Sequence, residues 1–201
     1  MKSSIFITTI LTLLLSLQTG NAMDGITKKE CFMSQTDRPK YTITVTQGGK
    51  ELGVMEIELF PDIAPKHCEN FDSLVATGFY DGTAFHRVIP GFMIQGGDPN
   101  SKTKPSTQWG FGDPSQKKVP AEFSKTPHTR GILSAARSQD INSASSQFFI
   151  CHADAPHLDG QYTVYGQLLK GFEVLDVIAE TPCEKGNLPA EKVEMKITKV
   201  N

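Results

Sequence analysis

Phe85-His86-Arg87-Val88-Ile89-Pro90-Gly91-Phe92-Met93-Ile94-Gln95-Gly96-Gly97-Asp98 reads as a short strand, a Pro-Gly turn and a second short strand ending at paired glycines. The stretch sets one permanent cation beside an aromatic ring, a thioether and a side-chain amide. Arginine does not titrate in proteins, so Arg87 can only donate hydrogen bonds and supply charge. His86 is its neighbour, but adjacent strand residues point to opposite faces, so His86 reads as structural. A fixed donor over an apolar patch suits electrostatic stabilisation of a bound amide better than acid–base chemistry.

The same strand-and-turn grammar runs outward in both directions. Tyr41, Ile43 and Val45 alternate with threonines, Gly48-Gly49 marks a turn, and Met55, Ile57 and Leu59 alternate with glutamates. A helix is predicted over 65–77: Pro65 suits its first turn, Cys68, Phe71 and Val75 share a face, and Gly78 stops it. Residues 96–120 form a long polar stretch with several Gly and Pro, which reads as a functional loop or lid. Strands are predicted at 132–136, 147–151 and 162–168. A second helix follows at 172–180, and Val193, Met195 and Ile197 alternate in a last strand. About eight short strands and two helices favour a mainly β barrel or sandwich; periodicity alone does not choose between them.

The chain has 201 residues, 38% hydrophobic and 21% charged, which fits one domain with a sizeable core. Its net charge of −2, with no block of like charge, gives no nucleic-acid footprint. Residues 1–22 differ from the rest: Lys2, an apolar run from Ile5 to Leu17, then Gly20-Asn21-Ala22. That pattern predicts a secretory signal peptide cleaved after Ala22, followed by a polar extension over 23–40 and the domain proper over 41–201. An exported chain permits disulfides among Cys31, Cys68, Cys151 and Cys183. Cys68 falls on a helical apolar stripe and Cys151 in an apolar strand, which leaves Cys31 and Cys183, in irregular polar segments, as the best pair. His152 and His157 lack the spacing and the third ligand of a metal site.

The opening stretch resembles the signature of the cyclophilins, peptidyl-prolyl cis–trans isomerases. The likeness continues through Gly131-Ile132-Leu133-Ser134-Ala135-Ala136, Ser146-Gln147-Phe148-Phe149-Ile150, Leu158-Asp159-Gly160 and Val164-Tyr165-Gly166, and spans about 41–200. The resemblance implies a closed eight-stranded antiparallel β-barrel with an α-helix closing each end. It also implies catalysis without metal or cofactor, on proline-containing segments of unfolded or folding proteins. Arg87 falls at the family's catalytic arginine. Phe92, Met93, Phe149 and Leu158 match the pocket for the proline ring, Gln95 the amide that holds the substrate backbone, and Ala136 the backbone contact to the residue before proline. Phe92 and Gln95 stand with Arg87 in the catalytic group.

Two positions depart from the family members that bind cyclosporin tightly. His157 stands where they carry tryptophan, and Tyr162 where they carry histidine. Both still belong to the substrate-binding rim, but a smaller surface without the indole N–H implies weak cyclosporin binding. The segment before Gly131, shorter and more polar than in eukaryotic cytosolic members, resembles the exported bacterial ones; with the signal peptide it sets the expected location as a periplasm or outside the cell, and a monomer is the default state. The competing reading is a non-enzymatic chaperone or proline-peptide binding module.

Overall fold

Strand periodicity organises residues 38–200, the part of the chain that the computed structural model describes. The expected signal peptide, most of the expected extension, and Cys31 with its proposed pairing to Cys183 lie outside the described residues. The elements run β1 (Lys40–Gln47), β2 (Lys50–Leu59), α1 (Pro65–Ala76), β3 (Thr83–Ile89), β4 (Met93–Gly96) and a one-turn α2 (Asn100–Thr103). They continue with β5 (Ile132–Ala135), β6 (Phe148–Cys151), β7 (Val164–Lys170), α3 (Phe172–Ala179), β8 (Cys183–Glu184), β9 (Leu188–Pro189) and β10 (Val193–Lys199).

Eight of these strands close into a barrel in the order β1-β10-β3-β4-β6-β5-β7-β2, every neighbouring pair antiparallel. The choice left open by periodicity is thus a barrel. Closure pairs every strand on both sides and leaves no open edge. The β1–β2 hairpin turns at Gly48 and Gly49, whose φ angles of 57° and 78° lie in the left-handed region that glycine adopts without strain.

Alternation decides what fills the barrel. Tyr41, Ile43 and Val45 from β1, Met55, Ile57 and Leu59 from β2, and Val193, Met195 and Ile197 from β10 all point inward. The helices close opposite ends. Phe71 of α1 meets Tyr41 edge-on at 5.3 Å, at the start of β1. Val174 of α3 lies against Gly53, which pairs with Val45 towards the other end of that strand.

β5 and β6 are buried along their whole length, not alternately. Leu133, Phe148 and Ile150 face the barrel core, while Ile132, Phe149 and Cys151 belong to a second apolar cluster on the outer wall. An antiparallel strand reads as a continuous apolar run when both its faces are covered. Here the outer cover is the floor of the site described below.

Several expectations need correction. Residues 38–40, assigned to the extension, are tied to the barrel: the Arg38 guanidinium lies over Phe60 and pairs with Asp62 at 2.8 Å, and Pro39 C=O accepts from Leu59 N–H. The polar stretch 96–120, expected as a functional loop or lid, also carries local structure that the sequence pattern did not show. It holds α2 and a 3-10 turn at Ser106–Gln108, and it wraps around the fully buried Asp98. The Asp98 carboxylate accepts from the backbone N–H groups of Asn100 and Gly110, and Asn100 Nδ2 donates to Gly112 C=O at 2.8 Å. The strand expected at 162–168 begins two residues later, because Tyr162 belongs to the site rim. Cys183, expected in an irregular segment, is exposed in the small β8–β9 hairpin.

Candidate active site

The position of Arg87 depends on a β-bulge. Phe85 pairs with Gly96 and Arg87 with Gln95, so His86 is an extra residue on β3 opposite no partner. Strict alternation would put Phe85 and Arg87 on the same face. The bulge lets Phe85 and Val88 both enter the core while Arg87 turns out onto the wall with Gln95. His86 is buried, with neither ring nitrogen hydrogen-bonded among the described residues, and burial holds it neutral, its pKa lowered. The structural reading of His86 therefore stands, for a reason that simple alternation does not supply.

Arg87 stands at the edge of a pocket of about 170 Å³. Phe92, Met93, Gln95, Ala136, Arg137, Phe149, Leu158 and Tyr162 line it with Arg87. Met93 and Gln95 come from β4, Phe149 from β6, and Leu158 from a 3-10 turn at Pro156–Leu158. Eight of the nine residues expected in the site therefore converge on one cavity. The ninth, His157, is exposed at the rim, its ring centroid 5.3 Å from that of Phe92, and it does not line the pocket. The 3-10 turn explains the difference: it points Leu158 into the cavity and its neighbour outward.

Polar order in the pocket comes from a chain of amides. Arg87 Nη1 donates to Gln95 Oε1 at 3.2 Å, Gln95 Nε2 donates to Gln147 Oε1 at 3.1 Å, and Gln147 Nε2 donates to Gly110 C=O at 3.1 Å. The last link anchors the site to the loop organised by Asp98. Gln95 therefore orients the guanidinium, a role added to the one expected for it. Among the described residues no carboxylate lies within 4.0 Å of Arg87, so its charge is not neutralised by the protein.

The aromatic floor is backed by a buried histidine, His128, that no sequence motif marks. The His128 ring stacks on Phe149 at 6.1 Å with 16° between the planes, and Tyr162 meets Phe149 edge-on at 5.8 Å. His128 Nδ1 is 2.9 Å from Asp159 Oδ1 and Nε2 is 3.1 Å from Ser134 Oγ. Burial lowers the imidazole pKa against the pull of Asp159, so the ring is neutral. Nδ1–H then donates to the carboxylate, while Nε2 lies beside the Ser134 hydroxyl, which also donates to Thr163 C=O at 2.9 Å. Asp159, also accepting from the His128 N–H at 2.7 Å, is held below the usual carboxylate range. Gln147 and Arg137 are further residues without an expected role. Gln147 lies within the Ser146–Ile150 stretch that carries the family resemblance, and Arg137 directly follows the Gly131–Ala136 stretch.

A closed eight-stranded barrel with an unpaired arginine over an aromatic pocket on its outer wall defines a recognisable class. Residues 40–201 match the family described as Cyclophilin type peptidyl-prolyl cis-trans isomerase/CLD, and the chain belongs to that enzyme family. A peptidyl-prolyl cis–trans isomerase of Arabidopsis thaliana is 46% identical over 147 residues, 72% of this chain and 88% of that protein. A probable peptidyl-prolyl cis–trans isomerase of Brucella suis is 48% identical over 130 residues, and the match spans 63% of this chain and 66% of the relative. A crystal structure of a cyclophilin-type isomerase from Cryptosporidium parvum superposes with a TM-score of 0.70 at 32% identity, covering 82% of this chain and 98% of that one. The same protein determined in the presence of the dipeptide Ala-Pro gives 0.68 at 34% identity, covering 81% and 99%.

Proposed function

We propose that this chain accelerates rotation about Xaa–Pro bonds in folding exported proteins, with Arg87 as the group that stabilises the twisted amide. Rotation must break C–N resonance, against a barrier of ~18–20 kcal/mol. In the twisted state the proline nitrogen becomes pyramidal and recovers a lone pair. A donor aimed at that lone pair favours the transition state over the planar ground state. Phe92, Met93, Phe149 and Leu158 grip the proline ring while the other side of the bond turns. Gln95 holds the guanidinium and the substrate backbone, and Ala136 meets the residue before proline. No covalent bond forms and no proton moves, so none of these steps calls on a metal or cofactor.

The observation that carries this reading is Arg87 itself: a cation without a carboxylate partner among the described residues, oriented by Gln95 at the edge of an aromatic pocket. Export rests on the signal-like pattern of residues 1–22, and the substrate class follows from it. At the rim, His157 stands against Phe92 where tight binders carry tryptophan and leaves less apolar cover than an indole would, which supports weak cyclosporin binding.

The test is isomerisation of short Xaa-Pro peptides. The chain should accelerate it strongly, and Arg87→Ala should reduce kcat/KM by about 100- to 1000-fold, the scale of losing one donor from a charge-stabilising site. Peptide binding without acceleration would leave a non-enzymatic binding module instead.

A further inference from the structure

We infer that Arg137 makes the site select proline segments carrying an acidic side chain on the N-terminal side of the proline, an inference that rests on the isomerase reading above. The chain has four arginines. Arg38 is matched by Asp62 at 2.8 Å and Glu58 at 3.7 Å, and Arg130 by Asp176 at 2.7 Å. Arg87 and Arg137 have no carboxylate within 4.0 Å among the described residues, and both line the same pocket. Among the described residues of this chain of net charge −2, this wall is where arginine charge is left uncompensated. Arg87 is committed to the amide nitrogen. Arg137 is not.

Arg137 is held in place without being neutralised. Nη1 donates to Ser138 C=O at 2.9 Å, Nη2 donates to Gln161 C=O at 3.0 Å, and the guanidinium lies 4.4 Å from the centroid of the Tyr162 ring. Its acceptors are neutral carbonyls, and Nε has no partner among the described residues. The ordering entropy of a long side chain is thus already spent in the free protein, which favours binding an anion. Arg137, Ala136 and Gln95 are also shared with a neighbouring pocket of about 450 Å³. That second pocket adds Lys118 and one carboxylate, Asp113, whose Oδ1 is engaged by the backbone N–H and hydroxyl of Ser115 at 2.9 and 2.8 Å. A peptide with its proline ring over Phe149 and the preceding residue at Ala136 runs its next side chain into this cationic pocket. Aspartate or glutamate there meets Arg137, whereas lysine meets like charge.

The experiment compares kcat/KM for three peptides that differ only two residues before proline, which is Glu, Gln or Lys, at low and high salt. The order Glu over Gln over Lys is expected. The Glu/Gln ratio should be about three- to fivefold at low salt, the scale of a partly exposed ion pair, and should shrink as salt rises. In Arg137→Gln the ratio should fall to about one, and in Arg137→Lys it should remain above one. Taking the ratio within each protein cancels any general loss of activity. Equal rates for all three peptides, or the same order in Arg137→Gln, would overturn the selectivity and leave the isomerase reading intact. If no peptide is accelerated, the isomerase reading fails by itself. Calorimetric binding of the same peptides then decides the selectivity: a Glu preference lost in Arg137→Gln supports it, and equal affinities overturn it.

Discussion

At the scale of single residues, chemistry here follows from what each side chain is prevented from doing. Arg87 cannot release a proton, so kcat/KM for Xaa-Pro peptides should stay nearly flat from about pH 7 to 9; a bell-shaped profile there would show that a titrating group takes part. The cysteines are separated by burial. It pushes the Cys68 and Cys151 thiols up to about 12, so neither forms thiolate at neutral pH. Cys183 is exposed. Alkylation of the native protein after mild reduction, followed by peptide mapping, should label Cys183 and spare Cys68 and Cys151 until denaturant is added. Arg87, Phe92 and Gln95 were legible because they lie in one continuous motif. Arg137 was not, because its place depends on Gln161 and Tyr162, more than twenty residues away in the chain.

At the scale of elements, the helix closing one end of the barrel shows how a distant loop completes local structure. α1 begins at Pro65, and its N-cap, Ala64, has no side-chain acceptor to offer. Glu122, from the long segment before β5, supplies one: its carboxylate accepts from the N–H groups of Lys66 at 3.1 Å and His67 at 3.0 Å, and lies 2.7 Å from His67 Nδ1. Burial pushes this carboxyl up, but the donors from His67 and Lys66 outweigh it and hold the pKa below the ordinary value. That stabilisation is present above the unfolded-state pKa and is lost as pH falls through the folded one. Replacing Glu122 with Ala should cost about 1–2 kcal/mol, comparable to losing a helix cap, read as a lower denaturant midpoint at neutral pH. Pro65 and Gly78 made the helix and its ends visible in the sequence. The cap was hidden, because Glu122 lies 55 residues from His67.

At the scale of the whole molecule, stability should be lost on mild acidification. His67, His86 and His128 are each buried, and burial lowers each pKa. Above the unfolded histidine pKa of about 6.5 both states are neutral at these sites and none costs stability. Below it the unfolded chain binds protons that the folded chain resists until its own lower pKa values are reached, so stability falls with pH. The melting temperature should drop between about pH 7.5 and 5, and His86→Phe should flatten that drop if the variant folds; a melting temperature independent of pH across the window would contradict the burial argument. The sequence by itself determined the strands, the two capping helices and the motif that supplies Arg87, because alternation, turn glycines and a contiguous signature are local properties of a chain. Only the tertiary structure decided that Arg87 faces outward, that His128 braces Phe149, and that Arg137 stands unneutralised at the pocket wall. A bulge, a stacked ring and a missing counter-charge are relations between distant residues, and no local pattern encodes them.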